Sequence, residues 1–411
     1  MVNKKNRDSF IKVRMDERNP KWPSAIKRQE PLYERKNEIR SYFMRDFNRI
    51  LHCTAYRRLK HKTQVFFAAR NDHICTRIEH VTHVASISYT IAQYLGLNTE
   101  LTNAIAIGHD IGHAPFGHAG ETFLKKIVKK NIGETFWHEK NSLRFLDKIE
   151  TLADTNNNQL NLNLTYAVRD GVILHCGEVN ETVILPRKSP DNLNHIFEPN
   201  QLSPYTWEGC IVKIADKISY LGRDIEDAVR LRILSQGKLR ELKKILNEIA
   251  NIEIRKLNNT VLMHDFICDL CHSSDPIEGI KFSKKYLNFI QSLTIYNYTN
   301  IYNHPRLQRY KIYASLVINT INNTLEGFFG GKETLKILDK QKNIYPVLIN
   351  AFINWLQKYS DTRDLFPNSN FKNKILYKMH DKNNYLQAII DFIPCMTDQY
   401  AIRVYNELTS F

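Results

Sequence analysis

Glycine and proline are scarce in this chain, 15 and 13 of 411 residues, which argues against a turn-rich sheet protein, a collagen-like repeat or a low-complexity polymer. Long apolar runs are missing as well. No stretch approaches eighteen consecutive apolar residues, and Met1-Val2-Asn3-Lys4-Lys5-Asn6-Arg7 turns polar at once, so no membrane span and no secretory signal are expected. The cysteines number seven, an odd count without regular spacing between Cys53 and Cys395, which gives no basis for a disulfide framework and fits reduced thiols in a cytoplasmic chain. Acidic residues are in deficit, 43 against 58 basic ones. Most of that deficit lies in residues 1–60, which hold 17 Lys and Arg against 7 Asp and Glu. A basic segment of this kind can hold phosphates, follow a nucleic-acid backbone or solvate the chain. Tyr56-Arg57-Arg58-Leu59-Lys60-His61-Lys62-Thr63-Gln64 interleaves donors with apolar residues, which favours phosphate.

What is present is helix pattern. Apolar residues make up 43% of the chain, enough to fill the core of one large or two ordinary domains. They recur at spacings of three and four, so an all-α fold is expected. From His80, the positions Val81, Val84, Ala85, Ile91, Ala92 and Leu95 follow one helical face, with Gly96 and Asn98 as stop and restart. Leu101 to Ile107 reads as a second helix. Glu208 to Leu231 is a third, with Ile211, Ile214, Ala215, Ile218, Leu221, Ile225, Ala228 and Val229 on one side. On its other side Asp216, Tyr220, Arg223 and Asp224 form a stripe that periodicity alone assigns to solvent. Thr155 to Asn163 and Pro186 to Pro204 read as surface loops, and no internal repeat appears.

Histidine is concentrated. Eight of fifteen fall between His61 and His138. His109-Asp110 ends the apolar run Ala104-Ile105-Ala106-Ile107-Gly108, and imidazole beside carboxylate suits a divalent ion. The dipeptide alone is weak, because His264-Asp265 and His380-Asp381 also occur. Its setting is stronger: Gly108-His109-Asp110-Ile111-Gly112-His113-Ala114-Pro115-Phe116-Gly117-His118-Ala119-Gly120-Glu121 brings backbone close to a partner. His118 and Glu121 are three apart, so the carboxylate can reach the imidazole and favour its protonated form.

This block resembles the bacterial deoxynucleoside triphosphate triphosphohydrolases of the HD-domain superfamily. The resemblance rests on Arg77-Ile78-Glu79-His80, His109-Asp110 and Phe116-Gly117-His118-Ala119-Gly120-Glu121 in that order. It extends through Arg57-Arg58-Leu59, Lys62-Thr63-Gln64-Val65-Phe66, Leu162-Asn163-Leu164-Thr165-Tyr166, Glu208 to Leu221, and Met396-Thr397-Asp398-Gln399-Tyr400-Ala401. It implies an HD-domain helical core at 1–235, carrying the basic segment and the site, and additional C-terminal helices at 236–411 packed on it. It implies His80, His109, Asp110 and Asp216 as ligands of a divalent ion, manganese, magnesium or iron. Arg77, His113, His138, Lys217 and Tyr220 would hold phosphates, His118 with Glu121 would be the catalytic pair, and Gln64 and Asp224 would face the sugar. Tyr220 would also fill the space of a 2′ hydroxyl. The activity implied is hydrolysis of dNTPs to deoxynucleoside and tripolyphosphate, controlling the dNTP pool. An allosteric nucleotide and a homo-oligomer are further implications. One position departs from the family: Glu139 stands where asparagine is usual, so its carboxylate has to be paired or turned away from a triphosphate.

Expelling a 5′ alkoxide demands a proton donor, and a well-placed general acid is worth about 10²–10⁴ in rate. Two other function classes remain open. Another HD-domain nucleotide phosphohydrolase or phosphodiesterase would share the ligands without needing the 116–121 loop or the 396–400 segment. A single-stranded nucleic-acid-binding protein would use the basic segment with Tyr33, Tyr42, Phe43, Phe47 and Tyr56 as stacking surfaces. Cys268-Asp269-Leu270-Cys271-His272 has haem-attachment spacing but reads as helix. Gly330-Gly331-Lys332-Glu333 lacks the first glycine and the Ser/Thr of a phosphate loop, and His138-Glu139 lacks the second histidine of a zinc protease.

Overall fold

A computed structural model describes residues 9–32, 37–67, 71–176, 181–250, 258–365 and 370–410; Tyr33 lies outside them. The fold is all-α, as expected. Among the described residues the only paired strands are Thr151–Ala153 and Gln159–Asn161, antiparallel, with Thr151 opposite Asn161. Part of the polar 155–163 stretch is therefore a hairpin arm rather than loop. Asp154 makes the turn by accepting from the amides of Asn156 and Asn158, both at 2.8 Å, and Asn157 takes the left-handed conformation at φ 62°. The asparagines that read as loop are the turn chemistry of that hairpin. The Pro186–Pro204 loop is pinned by Leu193 and Ile196, which are buried against Trp137, Leu143, Ile173 and Leu174.

Three helices position the site, and their ends follow from local chemistry. The first runs Arg77–Leu95; Glu79 reaches back to accept the Thr76 amide at 2.7 Å, and Gly96 closes it at φ 80°, a conformation that costs other residues. Asn98 then caps Thr99–Gly108, accepting from the amides of Glu100 and Leu101 at 3.1 Å. The third, Trp207–Arg230, starts at Thr206, whose hydroxyl accepts from Gly209 N–H. Its Ile211, Ile214, Ile218, Leu221 and Ile225 lie in the main core, and truncating one of them to alanine would cost about 2–5 kcal/mol. The opposite stripe is partly exposed at Asp216, Tyr220 and Arg223 and buried at Asp224. Asp224 is 2% exposed, and the helices 77–95, 99–108, 166–173 and 259–273 surround this element.

Several basic side chains of the N-terminal segment have structural partners. Arg28 pairs with buried Asp46 at 2.7 Å and also donates to Asn163 O, and Asp46 accepts from the Thr165 amide and hydroxyl. Arg49 donates to Leu162 O, Arg58 pairs with Glu150 at 2.8 Å, and Lys62 donates to the carbonyls of His113 and Pro394. Phe43, read as a stacking surface, is fully buried edge-on to Trp22. Buried guanidinium groups need such partners, so these charges tie the segment down. Cys268–His272 lies within the Asn259–Ser273 helix. Among the described residues no helix is long and apolar enough to cross a membrane.

Candidate active site

The chain turns between the Thr99–Gly108 helix and the Gly117–Ile132 helix, whose first turns carry His118 and Glu121. Gly112 is pressed onto the next element: a Cβ there would sit 2.2 Å from Ser142 N. Its N–H donates to Ser142 Oγ at 3.0 Å, and Asn141 Nδ2 donates to its carbonyl at 2.6 Å. This gives the Asn141-Ser142-Leu143-Arg144 run its purpose, and Arg144 completes it with a bidentate pair to Asp391.

Four of the expected ligand side chains converge. His80 Nε2 lies 3.0 Å from Asp216 Oδ1 and 3.8 Å from Asp110 Oδ2; His109 Nε2 lies 3.7 and 3.6 Å from the same two atoms. His109 is fully buried and its Nδ1–H donates to Ala106 O at 2.6 Å, which fixes the tautomer and leaves Nε2 as a bare acceptor with no partner. Burial would raise both aspartates, but the groups around them reverse it. The His80 hydrogen bond and His109 bring Asp216 down to about 2. Arg77, His113 and His109 hold Asp110 well below the usual carboxylate range. Unpartnered imidazole nitrogens facing ionised carboxylates make a donor set that fits a divalent ion.

His175 belongs to this group, and motif reading missed it. Its Nδ1–H donates to Val172 O at 2.6 Å, its Nε2 is buried and unpartnered, and its ring lies edge-on to His109 at 4.7 Å. Its nitrogen is within 4.8 Å of ligand atoms on His109 and Asp216, and also of those on Asp110 and His138. The only signal for it in Val172-Ile173-Leu174-His175 is a polar residue ending an apolar helix, which is ordinarily a satisfied core histidine.

Beside the cluster stands a second group. Glu121 lies 3.1 Å from His138 Nδ1 and 3.4 Å from His118 Nδ1. Burial opposes charge on both Glu121 and His138. Mutual attraction wins, holding Glu121 well below its usual range, while Glu139, Glu121 and Asp110 together push His138 up to about 10. His118 reaches Glu121 as the spacing implied, yet His138 is nearer. His113 stacks on His138 at 4.0 Å and points Nε2 at Asp110, 3.1 Å away. Glu139, the departure from the family pattern, is buried 3.4 Å from His138 Nδ1. Its carboxyl is raised by burial and hydrogen-bonded to Cys176, so it is paired.

The remaining expected residues divide. Gln64, Arg77, His113, His138 and Tyr220 line the polar cleft with the His–Asp cluster, although the Arg77 Nη1 is occupied by Asp110 at 2.5 Å. Gln64, Tyr220 and Asp224 also line a neighbouring cavity of about 270 Å³ with Phe116, Tyr298, Tyr302, Tyr310 and Lys311. There Asp224 accepts from the Tyr302 hydroxyl at 2.5 Å, and burial pushes its carboxyl up to about 7. Tyr302 carries no motif that would have flagged it. Lys217 lies on the flank of its helix, where the charges it senses are Glu181 and Lys213, and it does not line the polar cleft.

Known proteins resemble this chain over nearly its whole length. The HD domain family model matches residues 77–221, the span that contains the cluster. A deoxyguanosinetriphosphate triphosphohydrolase-like protein of Desulfatibacillum aliphaticivorans is 30% identical over 98% of this chain and 97% of its own. The chain belongs to this HD-domain family. A member from Caldanaerobacter subterraneus is 33% identical over 91% of this chain and 87% of its own, and one from Rickettsia felis 31% over 94% and 96%. The likeness thus runs through both the cluster and the C-terminal helices of the family member described here.

Proposed function

We propose that the protein is a divalent-metal-dependent hydrolase of deoxynucleoside triphosphates, releasing deoxynucleoside and tripolyphosphate and so limiting the dNTP pool. The observation that carries this reading is that Gln64, His118 and Tyr220 line both the polar His–Asp cleft and the aromatic cavity. A triphosphate placed in the cleft and a nucleoside in the cavity put the 5′ oxygen at the junction, beside His118.

In this reading His80, His109, Asp110 and Asp216 hold the ion, with His175 as a further donor. Bound there, manganese, magnesium or iron would neutralise phosphate charge and acidify a water. The chain's own groups do the rest. Protonated His138, held by Glu121, places positive charge beside the phosphates with Arg77 and His113. His118, half exposed and sharing Glu121, gives its proton to the departing 5′ oxygen. Asp224 and Gln64 face the sugar, and Tyr220 stands where a 2′ hydroxyl would be. Lys217, on the flank of the same helix, holds phosphate only if its side chain turns toward the cleft. The aromatic rings of Tyr298, Tyr302 and Tyr310 offer a surface for the base.

The test is to incubate the protein with each dNTP and with GTP, singly and mixed, with Mg²⁺ or Mn²⁺, and to separate the products. Deoxynucleoside plus tripolyphosphate is expected, and turnover only in mixtures would add an activating nucleotide site. Pyrophosphate or orthophosphate release would move the protein to the other HD-domain phosphohydrolases.

A further inference from the structure

The last helix touches the site through one carboxylate. Asp398, at the first turn of the Asp398–Thr409 helix, is 3% exposed and uses both oxygens. Oδ2 accepts from Thr63 N–H at 2.9 Å and from the Thr63 hydroxyl at 2.5 Å. Oδ1 accepts from Phe116 N–H at 2.8 Å. Those partners are 335 and 282 residues away in sequence, and each is next to the site. Thr63 precedes Gln64, which lines both cavities. Phe116 lines the aromatic cavity, stands two residues before His118, and holds the left-handed conformation at φ 68°, which is costly for a bulky residue. Lys62 joins the same pieces from the other side, its ammonium donating to His113 O at 2.5 Å and to Pro394 O at 2.6 Å.

We propose that Asp398 is a positioning residue that holds the Thr63–Gln64 and His113–His118 segments in register, so that the C-terminal helix is part of the site's construction. A carboxylate is suited to this and an amide is not. Two segments each present N–H donors to a different oxygen, and asparagine offers only one oxygen, so its NH₂ must face one set of donors. The left-handed turn at Phe116 would lose its anchor or Gln64 would lose its own. The kinetic arm of the test rests on the hydrolase reading above; the exchange arm does not.

Asp398→Asn is compared with Glu407→Gln in the full chain with Mn²⁺. Glu407 is the matched control: it lies on the same helix and accepts from Val347 and Leu348 N–H at 2.7 and 2.9 Å, away from the site. Asp398→Asn should speed hydrogen exchange of the amides in residues 62–66 and 111–118 about tenfold or more, and lower kcat/KM about 10²-fold, through both kcat and KM. Glu407→Gln should lower Tm and speed exchange only near residues 346–350. The proposal is overturned if Asp398→Asn lowers Tm but leaves exchange in those two segments unchanged, or if Glu407→Gln disturbs them equally. Should the wild-type chain hydrolyse no dNTP, the hydrolase reading fails and the exchange comparison alone decides this one.

Discussion

Asp216 and Asp224 lie two turns apart on one helix and in one stripe, yet the protein drives their carboxyls in opposite directions. Both are removed from water, which favours the protonated form. Around Asp216, His80, His109 and His175 arrive from three other parts of the chain and outweigh burial, bringing it to about 2. Around Asp224 the main partner is the neutral Tyr302 hydroxyl, burial dominates, and the carboxyl rises to about 7. One acid is thereby held as an anion, and the other is shifted toward its protonated form, which can donate as well as accept. Residue type and helix position are shared; the difference comes from what tertiary packing sets opposite each side chain.

The largest effect should come from neutralising the low-pKa partner. Asp216→Asn is expected to lose metal, read by elemental mass spectrometry of the purified protein, together with about 10⁴-fold or more of kcat, the scale felt when one member of an interdependent catalytic set is removed. Retained metal and near-normal turnover would break the contrast. Next is Glu121→Gln, expected to lower kcat about 10²–10⁴-fold. Glu121 helps to raise His138, so the basic limb of the pH–rate profile should move to lower pH; an unmoved limb means that His138 is not the group titrating.

Asp224 gives a smaller effect, on stability. Its folded pKa lies above its ordinary 3.8, at about 7, so between those values the folded state binds the extra proton. Stability from this group is present at the low end of that window and is lost as pH rises through about 7. Asp224→Asn should remove that slope, seen as a flatter difference in Tm across pH 4 to 7; an unchanged slope would show that Asp224 titrates normally. Tyr302→Phe is the mildest, costing about 1 kcal/mol. The hydroxyl favours the carboxylate, so its loss should raise the Asp224 midpoint further, and a lowered midpoint would contradict the hydrogen bond seen here.

Much of the site was legible because metal and phosphate chemistry restricts residue types. The Gly108–Glu121 block showed its role through histidines, a carboxylate and glycines packed into fourteen positions, and the helix restart at Asn98 followed from a capping residue. His175 was not legible, since a lone histidine after an apolar run looks the same whether it is filled core or an open nitrogen. Part of the basic segment was not legible for a related reason. Arginines at 28, 49 and 58 count alike in a charge sum, and only the fold shows that Asp46, Leu162 O and Glu150 take them up.

The sequence by itself determined the all-α class, the helices that carry the site and the His109–Glu121 block, because periodicity and ligand chemistry act over a few residues; the family resemblance pointed to the other groups. The tertiary structure alone decided that Asp224 is buried beside Tyr302, which imidazoles keep a free nitrogen, how Glu139 is paired, and that Asp398 reaches Thr63 and Phe116. Each of those depends on groups distant in sequence being brought within hydrogen-bonding distance, and no local pattern encodes which partners will meet.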